Sequence, residues 1–516
     1  MSRKINDFGR ILTHLFSDKK IWAVSLVTIL FGVAFAAIFT RAMMAQLDHD
    51  ENQFVASGQL LSTLGEIPYR DYPYFHMPFM VGVYAVIFHF TNHLLLAART
   101  FSVLCSWLCL LLLFSFSWKL SGRQAFKQRL LFASGIAALL FVNPLFNQAN
   151  FRAWNHPLPV LLTLIAFFFH WRAAYGFKFL FGVSGLVMAL AAGTRLSFFP
   201  LEAAFLLMAW LVPGTTSRSR LGFVALHAGG FISGLLLVLT PMLQAYPSIL
   251  FDNVSYNEAL NTAYRGESAN FFHSVLAKIT FCFNMMIRPP NLAFLLMFTF
   301  IGIRAPFRHD FYTYPRRLIL LVTFFSLFGV FAPTPYTGHY YFPLGAFGAT
   351  AIALGLIEYR NDERFWNRGM FALWLCILIG LGPAILQYRE LASVFSPQRW
   401  VTCQLHQLGE EIRAFVGPGK ILTLAPIIPM EGGAPIYASF ATGPFSWRTA
   451  RFLSSEQRSR YKFVSEIELA KMLDADPPGG ILVGSDMDEQ PFVDYAVSHH
   501  YISVLLANKR ILYLPH

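Results

Sequence analysis

Charge is the scarcest property of this sequence. Only 13% of its 516 residues are Asp, Glu, Lys or Arg, while 55% are hydrophobic and 54 are Phe. A soluble globular chain carries about 25% charged residues. Apolar runs recur from residue 21 to residue 387, each long enough, or nearly so, to cross a hydrocarbon core of about 30 Å. That pattern excludes a large soluble helical protein. Cysteine is sparse too: Cys105, Cys109, Cys282, Cys376 and Cys403 form no C-x-x-C pair, so neither a disulfide framework nor a thiolate metal knuckle is expected. There is no Gly-rich phosphate loop or dinucleotide fingerprint, hence no sign of a nucleotide-sugar site. There is no internal repeat, which a carrier built of inverted halves would show. The net charge of +12 is spread over short loops, which orients a membrane protein and does not point to nucleic acid.

What is present is a membrane topology. Segments 1–20, 119–129, 172–178, 214–222, 304–317 and 358–368 hold 20 Lys and Arg in 72 residues; the loops between them hold seven in 127. The positive-inside rule makes the first set cytoplasmic. The basic N-terminus precedes an apolar run of about twenty residues without a convincing cleavage site, which reads as an uncleaved first helix. Loop 41–76 is then outside and 119–129 inside, so an odd number of crossings separates them. Of the two apolar runs between, 99–118 spans; 77–90, interrupted by Pro78, is expected to lie on or dip into the outer face. Spans are expected near 21–40, 99–119, 130–146, 157–172, 178–194, 197–213, 223–245, 279–303, 318–334, 343–357 and 369–387, with Arg288-Pro289-Pro290 interrupting the eighth.

Composition changes after residue 387. Residues 388–516 hold 12 Lys/Arg and 13 Asp/Glu, with strand-like stretches at 419–427, 479–486, 502–507 and 510–515 and an amphipathic helical stretch among them. The expected fold is a polytopic α-helical membrane protein of about eleven spans with outer-face interfacial helices (1–387), followed by a small soluble α/β domain on the outer side (388–516).

The unusual polar residues gather on the outer side. Asp48, Asp50 and Glu51 directly follow the first span and open a helical pattern that ends at Gly65. An acidic pair at a membrane surface suits a general base or a charge-binding site. Asp48-His49-Asp50 fits a divalent-metal contact through hard oxygens, and the same acids suit a helix N-terminus. The next outer loop, 147–156, packs amides, Arg152 and Trp154 up to Asn155 and His156; it is either a sugar contact or a polar turn. Arg195 and Glu202 lie two helical turns apart. Together with Arg265, His273, Lys278 and Arg288 of loop 246–290, Arg195 supplies cations for a phosphate or anchors that snorkel to headgroups. His339, Tyr340 and Tyr341 close the outer end of a span, where an aromatic belt is equally expected.

Three motifs occur in order: D-E-x-x-[YF] (Asp50 to Phe54), S-G-x-x-L-x-x-x-G-x-x-P-Y-R-D (Ser57 to Asp71) and [HK]-x-P (His76 to Pro78). Over about residues 20–390 the chain resembles the GT-C superfamily of polyprenyl-phosphate-dependent membrane glycosyltransferases. It is most similar to the bacterial branch of lipid A aminoarabinose transferases, rhizobial lipopolysaccharide galacturonosyltransferases and protein O-mannosyltransferases. The resemblance implies that Asp50 is the catalytic carboxylate, that Glu51 is the second acid and that His76 meets the donor. Arg152 keeps the Arg of an R-x-x-D motif, but Asn155 stands at the Asp position, which weakens a two-carboxylate metal site. His339 replaces the Arg of a late R-Y-x-x-P pattern. No cofactor is called for, and a divalent metal stays open. The implied activity is transfer of a sugar from a polyprenyl-phosphate donor to an envelope glycan, glycolipid or protein acceptor. It would proceed with inversion at the periplasmic face of a bacterial inner membrane, in lipopolysaccharide or envelope-glycan assembly or modification. The competing reading is a transporter or flippase of a lipid-linked sugar; the clustering of polar residues on one face favours surface chemistry.

Overall fold

The computed structural model describes residues 18–259, 271–305, 310–333, 336–506 and 509–516. In chain order its principal helices are α1 (Asp18–Met44), α2 (His49–Leu64), α3 (Phe79–Phe88), α4 (Leu94–Leu120), α5 (Phe126–Val142), α6 (Pro157–Tyr175), α7 (Leu180–Thr194), α8 (Glu202–Trp210), α9 (Ser217–Leu239), α10 (Phe271–Met286), α11 (Pro289–Met297), α12 (Asp310–Phe331), α13 (Phe342–Glu358) and α14 (Glu363–Gln387). All eleven expected segments are helical, but they are not equal. Among the described residues seven helices are long and apolar enough to cross a membrane: α1, α4, α6, α9 with its extension, α12, α13 and α14. The expected eighth span is a pair, Val275–Met286 and Pro289–Ile303, bent by 90°. Pro289 and Pro290 cannot donate to a preceding turn, so they start a new helix behind an extended Arg288. Helix α7 and the segment Leu196–Trp210 are apolar but short. Among the described residues, helix length and composition thus support seven crossings, or eight with the bent pair, short of the expected eleven.

Two features shape this end of the bundle, the first as expected of segment 77–90 and the second a departure from the expected loop. Helix α3 has ten residues, about 15 Å, too short to cross. It packs on α2 at Gly58, where an added Cβ would lie 2.5 Å from Tyr84 Cβ. The segment after α9, expected as a loop from residue 246, continues through 3₁₀ and π turns to Ala259. This carries Asn253, Tyr256 and Asn257 above the bundle.

The C-terminal region holds one four-stranded sheet: β1 (Ile421–Leu422), β2 (Gly480–Val483), β3 (Ile502–Leu505) and β4 (Ile511–Leu514), in the order β1-β2-β4-β3. β1 and β2 pair in parallel, and the other neighbours are antiparallel. The stretch expected as one amphipathic helix is two, Ser455–Tyr461 and Glu466–Ala475, because Lys462 takes φ +66° and ends the first. Leu422, Phe440, Trp447, Leu473, Ile481 and Phe492 form a separate small core. By contrast, α15 (Val401–Val416) and the turn Ile427–Glu431 bury Leu405, Ile412, Ile427 and Ile428 in the cluster that runs through the membrane helices.

Close backbone approach holds α7 against α9. A Cβ at Gly230 would sit 1.9 Å from Gly182 O, and one at Gly185 would sit 2.0 Å from His227 O. Small residues at such crossings let helices gain dispersion contact where lipid gives no hydrophobic drive. Gly230→Ala is expected to cost about 1–3 kcal/mol, read as a fall in the thermal midpoint. Gly229→Ala, which meets nothing within 4 Å, should leave it unchanged.

Candidate active site

The loop that follows α1 is organised by its helix start. Asp48 is the N-cap of α2 and accepts from the Asp50 N–H at 3.0 Å, while Glu51 Oε2 accepts from the Asp48 N–H at 3.1 Å, a reciprocal capping box. Glu51 also faces Arg99 of α4, and neither side chain is exposed to any degree. The pair is bidentate, with Nε to Oε1 at 2.8 Å and Nη2 to Oε2 at 2.6 Å. Arg99 donates further to the carbonyls of Ala42, Ala45 and Gln46 at the end of α1. The Ala153 N–H, from loop 147–156, donates to Glu51 Oε1 at 2.8 Å. Burial opposes ionisation of Glu51, but the Arg99 charge and hydrogen bond, then Arg152 and the Ala153 N–H, hold its carboxyl below the usual range. Glu51 therefore has no oxygen turned to the neighbouring cavity, whose lining includes Asp50 and not Glu51. Both of its oxygens are taken up in tying α1, α2, α4 and the second loop together.

That anchoring leaves Asp50 and Gln53, one helical turn apart, to face a cavity of about 910 Å³. Asp50 keeps a quarter of its side-chain surface, 25%, accessible. Burial pushes its carboxyl up to about 6; the His49 charge opposes this, Asp48 adds to it, and Arg195 and Arg152 oppose it. Other walls carry His76, Asn155, Arg195, His339 and Tyr340. Arg195 is extended (φ −153°, ψ 120°) between α7 and the 3₁₀ turn Leu196–Leu201. Its guanidinium donates to Asn155 Oδ1 at 2.8 Å and to Ser197 Oγ at 3.0 Å, and lies 4.9 Å from the centre of the Tyr340 ring. His76 is packed on Phe54 at 5.0 Å between ring centres. Burial, helped by the Arg195 charge, drops its imidazole to about 3, so it is neutral at physiological pH. Gln53 Oε1, Trp154 Nε1 and both nitrogens of His156 are buried polar atoms of this lining without a hydrogen-bond partner.

Several expected contacts lie elsewhere. Arg152 is not in the lining; its Nη1 is 3.4 Å from Asp48 Oδ2 and 3.6 Å from Glu51 Oε2, reinforcing the loop from behind. Lys278 Nζ donates to the Phe331 and Ala332 carbonyls at the end of α12, where a cation complements the helix dipole. Arg288 is exposed at the head of α11. Tyr341 is buried in a small cluster with Leu145 and Met285. Arg265 lies outside the described residues. Glu202 does not share a face with Arg195, because the 3₁₀ turn breaks the helical period; it pairs with His227 at 3.1 Å. Among the described residues Arg195 is thus the one Lys or Arg in the lining.

The cavity also contains residues that the sequence did not single out. Gln53 was legible as the next turn of the Asp50 face. Tyr256 and Asn257 were hidden because their segment read as a loop. Phe445, on α16 (Pro444–Ala450), had no sequence signal, since no local pattern links it to a helix almost four hundred residues earlier. Tyr256 Oη donates to the Phe445 carbonyl at 3.1 Å, and the Phe445 ring lies 5.3 Å from His49.

No family model and no curated protein sequence matches the chain. Solved structures do. ArnT from Cupriavidus metallidurans bound to undecaprenyl phosphate superposes with a TM-score of 0.57 at 14% identity, covering 95% of this chain and 97% of that one. Its apo form gives 0.55 at 13%, covering 96% and 98%. The Archaeoglobus fulgidus oligosaccharyltransferase gives 0.48 at 11%, covering 96% and 75%. With its membrane-spanning helices, small C-terminal sheet and near end-to-end superposition on ArnT, this chain is a multi-pass membrane protein with an ArnT-like fold.

Proposed function

We propose that this protein transfers a hexosyl or pentosyl group from a polyprenyl-phosphate donor to an envelope glycan, glycolipid or protein acceptor. The reaction takes place at the periplasmic face of a bacterial inner membrane and inverts the anomeric carbon. The observation that carries this reading is one carboxyl with a raised pKa, Asp50, and one desolvated guanidinium, Arg195, lining a single large cavity. The undecaprenyl phosphate in the ArnT crystal supports the donor class.

The chemistry is a single displacement. An acceptor hydroxyl or amine attacks the anomeric carbon while Asp50 takes its proton; the bond from that carbon to the phosphate oxygen breaks, and the electron pair leaves on the phosphate. Arg195, oriented by Asn155 and Ser197 and backed by the Tyr340 ring, stabilises the charge that develops there. Neutral His76 and His156 offer hydrogen bonds without adding charge. The unpartnered amide oxygen of Gln53 and N–H of Trp154 offer an acceptor and a donor to sugar hydroxyls. Asp48, His49 and Asp50 place one ligand atom each within 4.8 Å of one another, a set able to hold a divalent ion. Arg152 already shares the charge of Asp48, and no step above runs through an ion.

Three outcomes test this reading. With a radiolabelled undecaprenyl-phosphate sugar and membrane acceptors, Asp50→Asn is expected to slow transfer by about 10²–10⁴-fold; unchanged transfer removes the assignment. Movement of lipid-linked sugar across vesicles without transfer would favour the carrier.

The transfer rate should rise with pH through about 6 and then level off, as Asp50 loses its proton. Stability runs the other way. Between 3.8, the ordinary value, and about 6 the folded protein holds a proton that the unfolded chain has lost, so stability falls as pH rises through that window. Asp50→Asn is therefore expected to raise the thermal midpoint at pH 8 and to leave it unchanged below the ordinary carboxylate range.

Glu51→Leu strands a buried Arg99 and is expected to cost about 3–5 kcal/mol. A drop in the thermal midpoint that Asp50→Asn does not share would separate the anchoring acid from the reacting one.

A further inference from the structure

The geometry points to a second site, outside the cavity: His93, His406 and Glu410 form a zinc-class divalent-metal site, oriented by Glu431, that clamps the C-terminal region to the outer end of α4. His406 and Glu410 are one turn apart on α15, with His406 Nε2 3.7 Å from Glu410 Oε1. Tetrahedral zinc, with bonds of about 2.0–2.1 Å, spaces its ligand atoms by about 3.3 Å, so this pair is nearly set. His93 stands immediately before α4 and its ring centre is 3.8 Å from that of His406. It is exposed and therefore free to turn its imidazole outward onto an ion shared with the other two. His93, His406 and Glu431 each offer a ligand atom, all within 4.8 Å of one another.

Glu431 supplies the orientation. It is 2% exposed. Its Oε1 accepts from the Leu95 N–H at 2.6 Å, capping the start of α4, and its Oε2 lies 2.8 Å from His406 Nδ1. A carboxylate on one imidazole nitrogen fixes the proton there and leaves the other lone pair for a metal, a pattern common behind metal-ligating histidines. Here the free nitrogen is Nε2, the one that faces Glu410. Two imidazoles and one carboxylate, with a position open to water, suit zinc and its transition-metal neighbours; magnesium and calcium prefer all-oxygen sets. None of the four residues lines the 910 Å³ cavity. The clamp nevertheless acts on it, because Leu95 lies one turn before Arg99, which holds Glu51.

The test uses the full-length chain in detergent, stripped with a chelator and titrated calorimetrically with zinc sulfate alone. Zinc is expected to bind at one equivalent through this site and to raise the thermal midpoint. His93→Ala and Glu410→Gln, both exposed and both leaving the Glu431–His406 contact intact, should each weaken binding by at least about tenfold and abolish the shift. His49→Ala, in the separate Asp48-His49-Asp50 cluster, should leave this binding unchanged. Cobalt(II) in place of zinc should give visible absorption of tetrahedral intensity that His93→Ala removes. The inference is overturned if no zinc binds. It is overturned equally if zinc survives His93→Ala and Glu410→Gln but is lost with His49→Ala; Glu431 and His406 would then be a hydrogen-bonded clamp only.

Discussion

A single buried ion pair, Glu51 with Arg99, sets the geometry of the end of the bundle that carries the cavity. Two fully desolvated charges are costly, and they persist where hydrogen bonds satisfy every remaining donor and lone pair. Here they do: Arg99 closes three carbonyls at the end of α1, and Glu51 accepts from the backbone of Asp48 and Ala153. The end of a membrane helix, the start of a surface helix, the head of α4 and the second outer loop therefore meet at one point. Asp50 is the residue just before Glu51, and its direction into the cavity follows from how its neighbour is held.

The same division of labour runs through the other charges. Arg152, Lys278 and Glu202 complete structure: a loop, a helix end and a histidine pair. Asp50 and Arg195 are left facing open space, and each sits in an environment that opposes its charged form. In a protein with so few charges, a low-dielectric cavity strengthens the interactions of the ones it keeps.

Much of this was legible in the sequence. Hydropathy marked all seven of the described helices long enough to cross a membrane, and the run from Asp50 to Pro78 carried the likeness of fold and part of the cavity lining, Asp50, Phe54 and His76. Local pattern misled where a turn changed period: the 3₁₀ segment Leu196–Leu201 separated Arg195 from Glu202, and continued helical turns drew Asn253 to Asn257 out of an apparent loop. It also could not tell a cation that meets solvent or a carbonyl, such as Arg288 or Lys278, from one that meets a ligand. That distinction depends on packing partners far away in sequence. Glu51 shows the limit well: a motif points to two acids, and packing turns one to the cavity and ties the other to Arg99.

Phe445 gives the cavity a temporal dimension. A ribosome that has inserted every membrane helix has already delivered Asp50 and Arg195 to the membrane, yet the wall that Phe445 contributes has still to be made. Only when the late segment docks on Tyr256 and on the first outer helix does the chamber gain its last side. Closure of the cavity is thus coupled to synthesis of the C-terminal region, so a nascent chain that has inserted its membrane helices holds Asp50 and Arg195 without this wall.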